Sequence, residues 1–165
     1  MGSESKIIFR QGFKSDESKR YRSTNSKVYA VNPDGTLKWS VAIGTSIQSS
    51  PAIREDGSIL IGSDNGIVYA LRQTDGTEIR TYDKDDKEIR SSLLVASNGI
   101  IYYGSTDEKF FALNSSGTAK WELMVTGPVS ASPAMGFGGN IYVGTESGYF
   151  YATAPSASEN RKGTL

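Results

Sequence analysis

The segment Asn65-Gly66-Ile67-Val68-Tyr69-Ala70-Leu71 decides the fold, because the chain repeats it. Lys27-Val28-Tyr29-Ala30-Val31 matches Ile67-Val68-Tyr69-Ala70-Leu71. So do Lys109-Phe110-Phe111-Ala112-Leu113 and Tyr149-Phe150-Tyr151-Ala152-Thr153. The alanines stand at 30, 70, 112 and 152, a period of 40 to 42 residues. Three further markers keep the same order. Asp34-Gly35-Thr36-Leu37-Lys38-Trp39 returns as Asp75-Gly76-Thr77-Glu78-Ile79-Arg80 and as Ser116-Gly117-Thr118-Ala119-Lys120-Trp121. Ser50-Pro51-Ala52 returns as Ser92-Leu93-Leu94 and Ser132-Pro133-Ala134. Ile61-Gly62-Ser63 returns as Tyr103-Gly104-Ser105 and Val143-Gly144-Thr145. Four markers with one order and one period are the signature of a repeat architecture.

Each repeat reads as four short strands. In the second, Ser49 to Arg54, Ser58 to Ile61, Ile67 to Arg72 and Thr77 to Tyr82 are the strands. Glu55-Asp56-Gly57, Asp64-Asn65-Gly66 and Thr74-Asp75-Gly76 are the turns, rich in residues that tolerate positive φ. This punctuation describes an antiparallel meander. No ten-residue stretch carries the 3.6-residue apolar period of a helix. A meander of this size cannot bury both of its faces alone, and radial stacking of such sheets buries them. The expected fold is therefore all-β, a β-propeller of four-stranded antiparallel blades. The alanine of each repeat lets the next sheet approach, and the aromatics beside it (Tyr29, Tyr69, Phe111 and Tyr151) fill the space between sheets.

The 165 residues contain neither Cys nor His, and the 18 basic residues balance the 18 acidic ones. This composition excludes thiol nucleophiles, disulfides, Cys/His zinc sites and the Ser-His-Asp triad. Zero net charge argues against nucleic acid or an anionic membrane as the main partner. No apolar run reaches the length of a membrane span, and the first residues lack the pattern of a signal peptide.

Taken together, Ala-x-Asn (Ala30-Val31-Asn32, Ala112-Leu113-Asn114), then Gly-Thr, then Trp, preceded by Ser-Pro-Ala and a Val-Gly-Ser-like strand, resemble the pyrroloquinoline-quinone (PQQ) type of β-propeller repeat over residues 27–153. That family includes quinoprotein dehydrogenases and the lipoprotein of the outer-membrane barrel-assembly machine. The resemblance implies that Trp39 and Trp121 dock between neighbouring blades rather than stack on a sugar or quinone. On that reading Trp121→Ala costs about 3–5 kcal/mol. Arg80 stands where the middle repeat would carry the Trp. Its aliphatic stem is expected to cover the same surface, with a weaker interface. The resemblance also implies an extracytoplasmic location.

The repeats fall at about 5–48, 49–90, 91–131 and 132–153, within one partial propeller spanning 1–153. The segment Ser5 to Arg10 resembles a degenerate second strand. The first repeat lacks its leading strand and the last its closing strand, so the chain amounts to three and a half to four blades. Exposed end faces and strand edges invite pairing. A second copy completing a larger ring, or a longer chain of which this is a fragment, is the expected remedy. Residues 11–26 form an inserted polar loop, and 154–165 read as a disordered tail.

Chemistry is sparse. Asp83-Lys84-Asp85-Asp86-Lys87-Glu88 places alternating oxygens along the chain, but its lysines and missing Gly spoil a calcium loop. Gly136-Phe137-Gly138-Gly139 lies between strands and reads as a hairpin turn, not a phosphate-binding loop. No catalytic or metal-binding residue is assigned, and PQQ with calcium enters through the resemblance alone. The expected function is a non-enzymatic scaffold for a protein partner. The alternatives are part of a quinone-dependent dehydrogenase, or a carbohydrate-binding or sensor module of the cell envelope.

Overall fold

The computed structural model describes residues 26–83, 87–154 and 160–164. These form four antiparallel sheets and one short 3-10 turn at Phe137–Gly139. Sheet I pairs β1 (Lys27–Val31) with β2 (Leu37–Ala42). Sheet II runs β3 (Ala52–Ile53), β4 (Ile59–Gly62), β5 (Ile67–Leu71), β6 (Glu78–Asp83). Sheet III runs β7 (Leu94–Val95), β8 (Ile101–Ser105), β9 (Lys109–Leu113), β10 (Ala119–Met124). Sheet IV runs β11 (Ala134–Met135), β12 (Ile141–Gly144), β13 (Tyr149–Thr153), β14 (Asn160–Thr164). Each strand pairs with its sequence neighbour, as the short turns require.

Period-two alternation assigns the faces. In sheet II, Leu60, Val68, Ala70 and Tyr82 face sheet III, where they meet Ile101, Tyr103, Phe111 and Leu113. On its other side, Ile59, Ile61, Tyr69 and Leu71 meet Val28, Ala30 and Trp39 of sheet I. Sheet III turns Tyr102, Phe110 and Ala112 toward Ile141, Val143 and Tyr151 of sheet IV. Three apolar layers thus alternate with four sheets, which is why the central strands β4, β5, β8 and β9 are buried almost throughout.

The sheets converge at their first strands. The Ser50 N–H donates to Ser92 Oγ (2.9 Å), and the Ser92 N–H to Ser132 Oγ (3.3 Å), one rung per repeat. The residue before each of the first two rungs clamps its own sheet. Ser49 Oγ donates to Gly62 O (2.7 Å) and accepts from Gly62 N–H (2.9 Å). Ser91 does the same to Gly104 at 3.0 and 2.8 Å. Those glycines also admit the neighbouring segment. A Cβ on Gly62 would lie 2.5 Å from Ile89 Cγ2, and one on Gly104 only 2.0 Å from Val129 Cγ1. Four-stranded sheets stacked face to face and tied at their first strands are propeller blades.

Two expectations need correction. The first strands are shorter than the 49–54 stretch implied, because Ser49 and Ser50 spend their polar groups on Gly62 and Ser92 instead of a ladder. The tail contains β14, which pairs with β13 from Tyr149↔Thr164 to Thr153↔Asn160, so sheet IV has four strands and not three. The unpaired edge of β13 supplies a ladder that polar composition does not forbid. The expected strand at 5–10 and loop residues 11–25 lie outside the described residues, as do 155–159.

Candidate interaction surface

The six aromatic positions singled out by the repeat do not form one site. Trp39 and Tyr69 share the layer between sheets I and II. Phe111 lies between II and III, stacked on Tyr103 at 5.0 Å. Trp121 and Tyr151 lie between III and IV. Tyr29 alternates with buried Val28 and Ala30 and sits half-buried on the far face of sheet I.

Trp39 is 8% exposed and its Nε1–H donates to Gln73 O at 3.0 Å. Its ring covers Gly76, where a Cβ would lie 2.6 Å from Trp39 Cε3. Gly76 is therefore fixed twice, by that contact and by its φ of 75°. Trp121 is half-buried and meets Tyr102 and Phe110 in tilted contacts, both at 5.8 Å. Two tyrosine hydroxyls fasten each sheet to the segment before it. Tyr69 Oη donates to Ile43 O (3.4 Å), and Tyr151 Oη accepts from Thr126 N–H (2.8 Å).

Between sheets II and III the Trp is replaced by two side chains. Arg80 Nη1 donates to Ser116 O at 3.0 Å. The glycine of the following turn is covered by Tyr82, two residues further along β6 on the same face. A Cβ on Gly117 would fall 2.0 Å from Tyr82 Cδ1. The repeat pattern points only to the Arg stem, because Arg80 is the residue that stands where the other repeats carry Trp39 and Trp121. The missed signal was an aromatic at the position where the other repeats carry Val41 and Leu123. A groove of about 330 Å³ remains beside this contact, lined by Arg54, Asp56, Ile79, Arg80, Tyr82 and Ser115.

The polar groups serve the turns. Thr36 donates to Asp34 through N–H (2.9 Å) and Oγ1–H (2.7 Å), Ser58 to Asp56 (2.9 and 2.5 Å), and Thr77 N–H to Asp75 (2.9 Å). These bonds hold all three carboxyls below the ordinary Asp value. Asp64 accepts from Gln48 Nε2, and Glu88 pairs with Arg90 at 2.8 Å. Among the described residues no three carboxylates are grouped to hold a cation. The acidic run at 83–88 falls partly outside them.

What the blades do present is an apolar rim at the turns between first and second strands. Ile53, Val95 and Met135 occupy equivalent positions, and Ile53 and Met135 are exposed. Phe137, on the glycine turn that follows Met135, is fully exposed. Among the described residues no helix is long and apolar enough to cross a membrane.

Comparison with known proteins agrees with this architecture. Residues 24–162 match the family described as outer membrane protein assembly factor BamB. The curated BamB of Salmonella typhimurium is 29% identical over 116 residues, 62% of this chain and 30% of that protein. BamB of Escherichia coli is 29% identical over 114 residues, 61% of this chain and 29% of that protein. The chain thus spans less than a third of the length of these relatives. In fold it is similar to BamB from Moraxella catarrhalis (TM-score 0.73, 16% identity, 88% of this chain and 45% of that one). It is similarly close to a chain of the mitotic checkpoint complex (TM-score 0.77, 14% identity, 92% and 53%).

Proposed function

Since the chain belongs to the BamB family of PQQ-type propeller repeats, we propose that it is a non-enzymatic, protein-binding scaffold that works outside the cytoplasm in the assembly of outer-membrane proteins. The observation that carries this reading is Phe137, fully exposed on a glycine turn beside exposed Met135, with Ile53 at the equivalent place two blades away. An aromatic anchor beside flexible apolar side chains is the usual composition of an interface centre. The blades position these residues, and the binding energy comes from covering them. No bound quinone or calcium has a part in it.

A photoreactive residue at position 137, in cells that make the chain, tests the proposal. Discrete cross-links to envelope proteins are expected from 137 and not from a control at exposed Asn65, in a turn between second and third strands at the other end of the blades. Absence of adducts at 137, or the same adducts from both positions, would count against it. Adding PQQ with calcium is expected to give no bound chromophore and no dye reduction. A chromophore with dye reduction would favour a dehydrogenase instead.

A further inference from the structure

The outer face of sheet IV repeats a face that is buried everywhere else. Register aligns Ala134, Tyr142 and Ala152 in one row, and Gly144 with Phe150 in the next. The same rows in sheet III are Leu94, Tyr102, Ala112 and Gly104, Phe110. In sheet II they are Ala52, Leu60, Ala70 and Gly62, Val68. Phe110 and Val68 are 0% exposed, whereas Phe150 is 37% exposed. Tyr142 and Phe150 stack at 5.8 Å on this open face. The glycine row is the sharper mark. Gly62 and Gly104 are filled by Ile89 and Val129 of the next segment, but a Cβ on Gly144 would meet nothing nearer than Tyr149 O at 4.0 Å.

We infer that this face docks sheet I of a second copy of the chain, head to tail. Each of the three junctions within the chain sets such a face against a following sheet that offers aromatic and aliphatic residues in alternation. Sheet I carries Tyr29 and Val31 where the follower sheets carry Tyr69 and Leu71, Phe111 and Leu113, and Tyr151 and Thr153. Leu37, paired with Val31, is 60% exposed. Two copies joined this way make two identical junctions and a closed two-fold ring, which leaves no face over. This surface is separate from the rim of Ile53 and Phe137, and either proposal can fail without the other.

Light scattering over a concentration series tests it, on the wild-type chain and on Gly144→Leu and Phe150→Asp. The wild type is expected at twice 17.8 kDa. Gly144→Leu, whose Cβ meets nothing inside the chain nearer than 4.0 Å, is expected to weaken the dimer at least tenfold while the far-ultraviolet spectrum and melting temperature of the monomer are kept. Phe150→Asp is expected to do the same. A wild type that is monomeric throughout, that grows into open assemblies, or whose dimer ignores both substitutions would overturn the inference.

Discussion

The ring of Tyr82 lies across Gly117 in the next sheet's turn, as the indole of Trp39 lies across Gly76. In both cases a large side chain on an outer strand closes the gap between two blades, and a glycine at positive φ makes room for it. The motif survives the loss of its characteristic Trp because an aromatic two residues further on reaches the same seat. Arg80 then keeps only a hydrogen bond to Ser116 O.

Tyr82 therefore matters more than the residue in the Trp column. Tyr82→Ala is expected to cost about 3–5 kcal/mol, in the range of buried aromatic truncations. Arg80→Ala, which removes one bond at an exposed site, should cost about 1 kcal/mol. Urea unfolding of the two variants checks the order. Equal losses, or a larger loss from Arg80, would return the interface to the Arg.

Much of this was legible in the sequence. The 40- to 42-residue period gave the strands, turns and blade stacking, because alternation and turn chemistry are local. The seat under Tyr82 was not legible. It depends on two residues 35 apart in sequence meeting across a gap that no spacing rule describes. Strand β14 was hidden for another reason. Ser- and charge-rich composition argues for disorder, yet backbone pairing to β13 asks little of side chains. The rim is not legible because Gly136-Phe137-Gly138-Gly139 reads as a hairpin turn, and turn composition does not say whether the ring at its centre packs inward or stays in water.

The serine clamps predict a contrast. Ser91→Ala leaves the buried N–H and C=O of Gly104 without this partner and is expected to cost about 1–3 kcal/mol. Ser132→Ala removes one 3.3 Å acceptor at an exposed rung and should cost less than about 0.5 kcal/mol. Denaturant midpoints of the two variants measure the difference.

Acid should unfold the turns in a defined direction. Asp34, Asp56 and Asp75 have folded-state values below the ordinary 3.8, chiefly through hydrogen bonds from Thr36, Ser58 and Thr77. Their contribution to stability is present above the unfolded value and is lost as pH falls below 3.8 through the folded values. Urea midpoints taken from about pH 6 to about pH 2 should hold level and then drop, and the drop should be shallower in Asp56→Asn. A profile unchanged by that substitution would remove Asp56 from the account.

The most direct measurement is a double-mutant cycle on Tyr82 and Gly117. If the ring occupies the space over the glycine, Gly117→Ala is costly in the wild type through both clash and positive φ. In a Tyr82→Ala background it should cost only the backbone strain, about 1 kcal/mol. The predicted coupling is at least about 1 kcal/mol. Losses that add to within about 0.5 kcal/mol would contradict the seat, and with it the way these blades are held together.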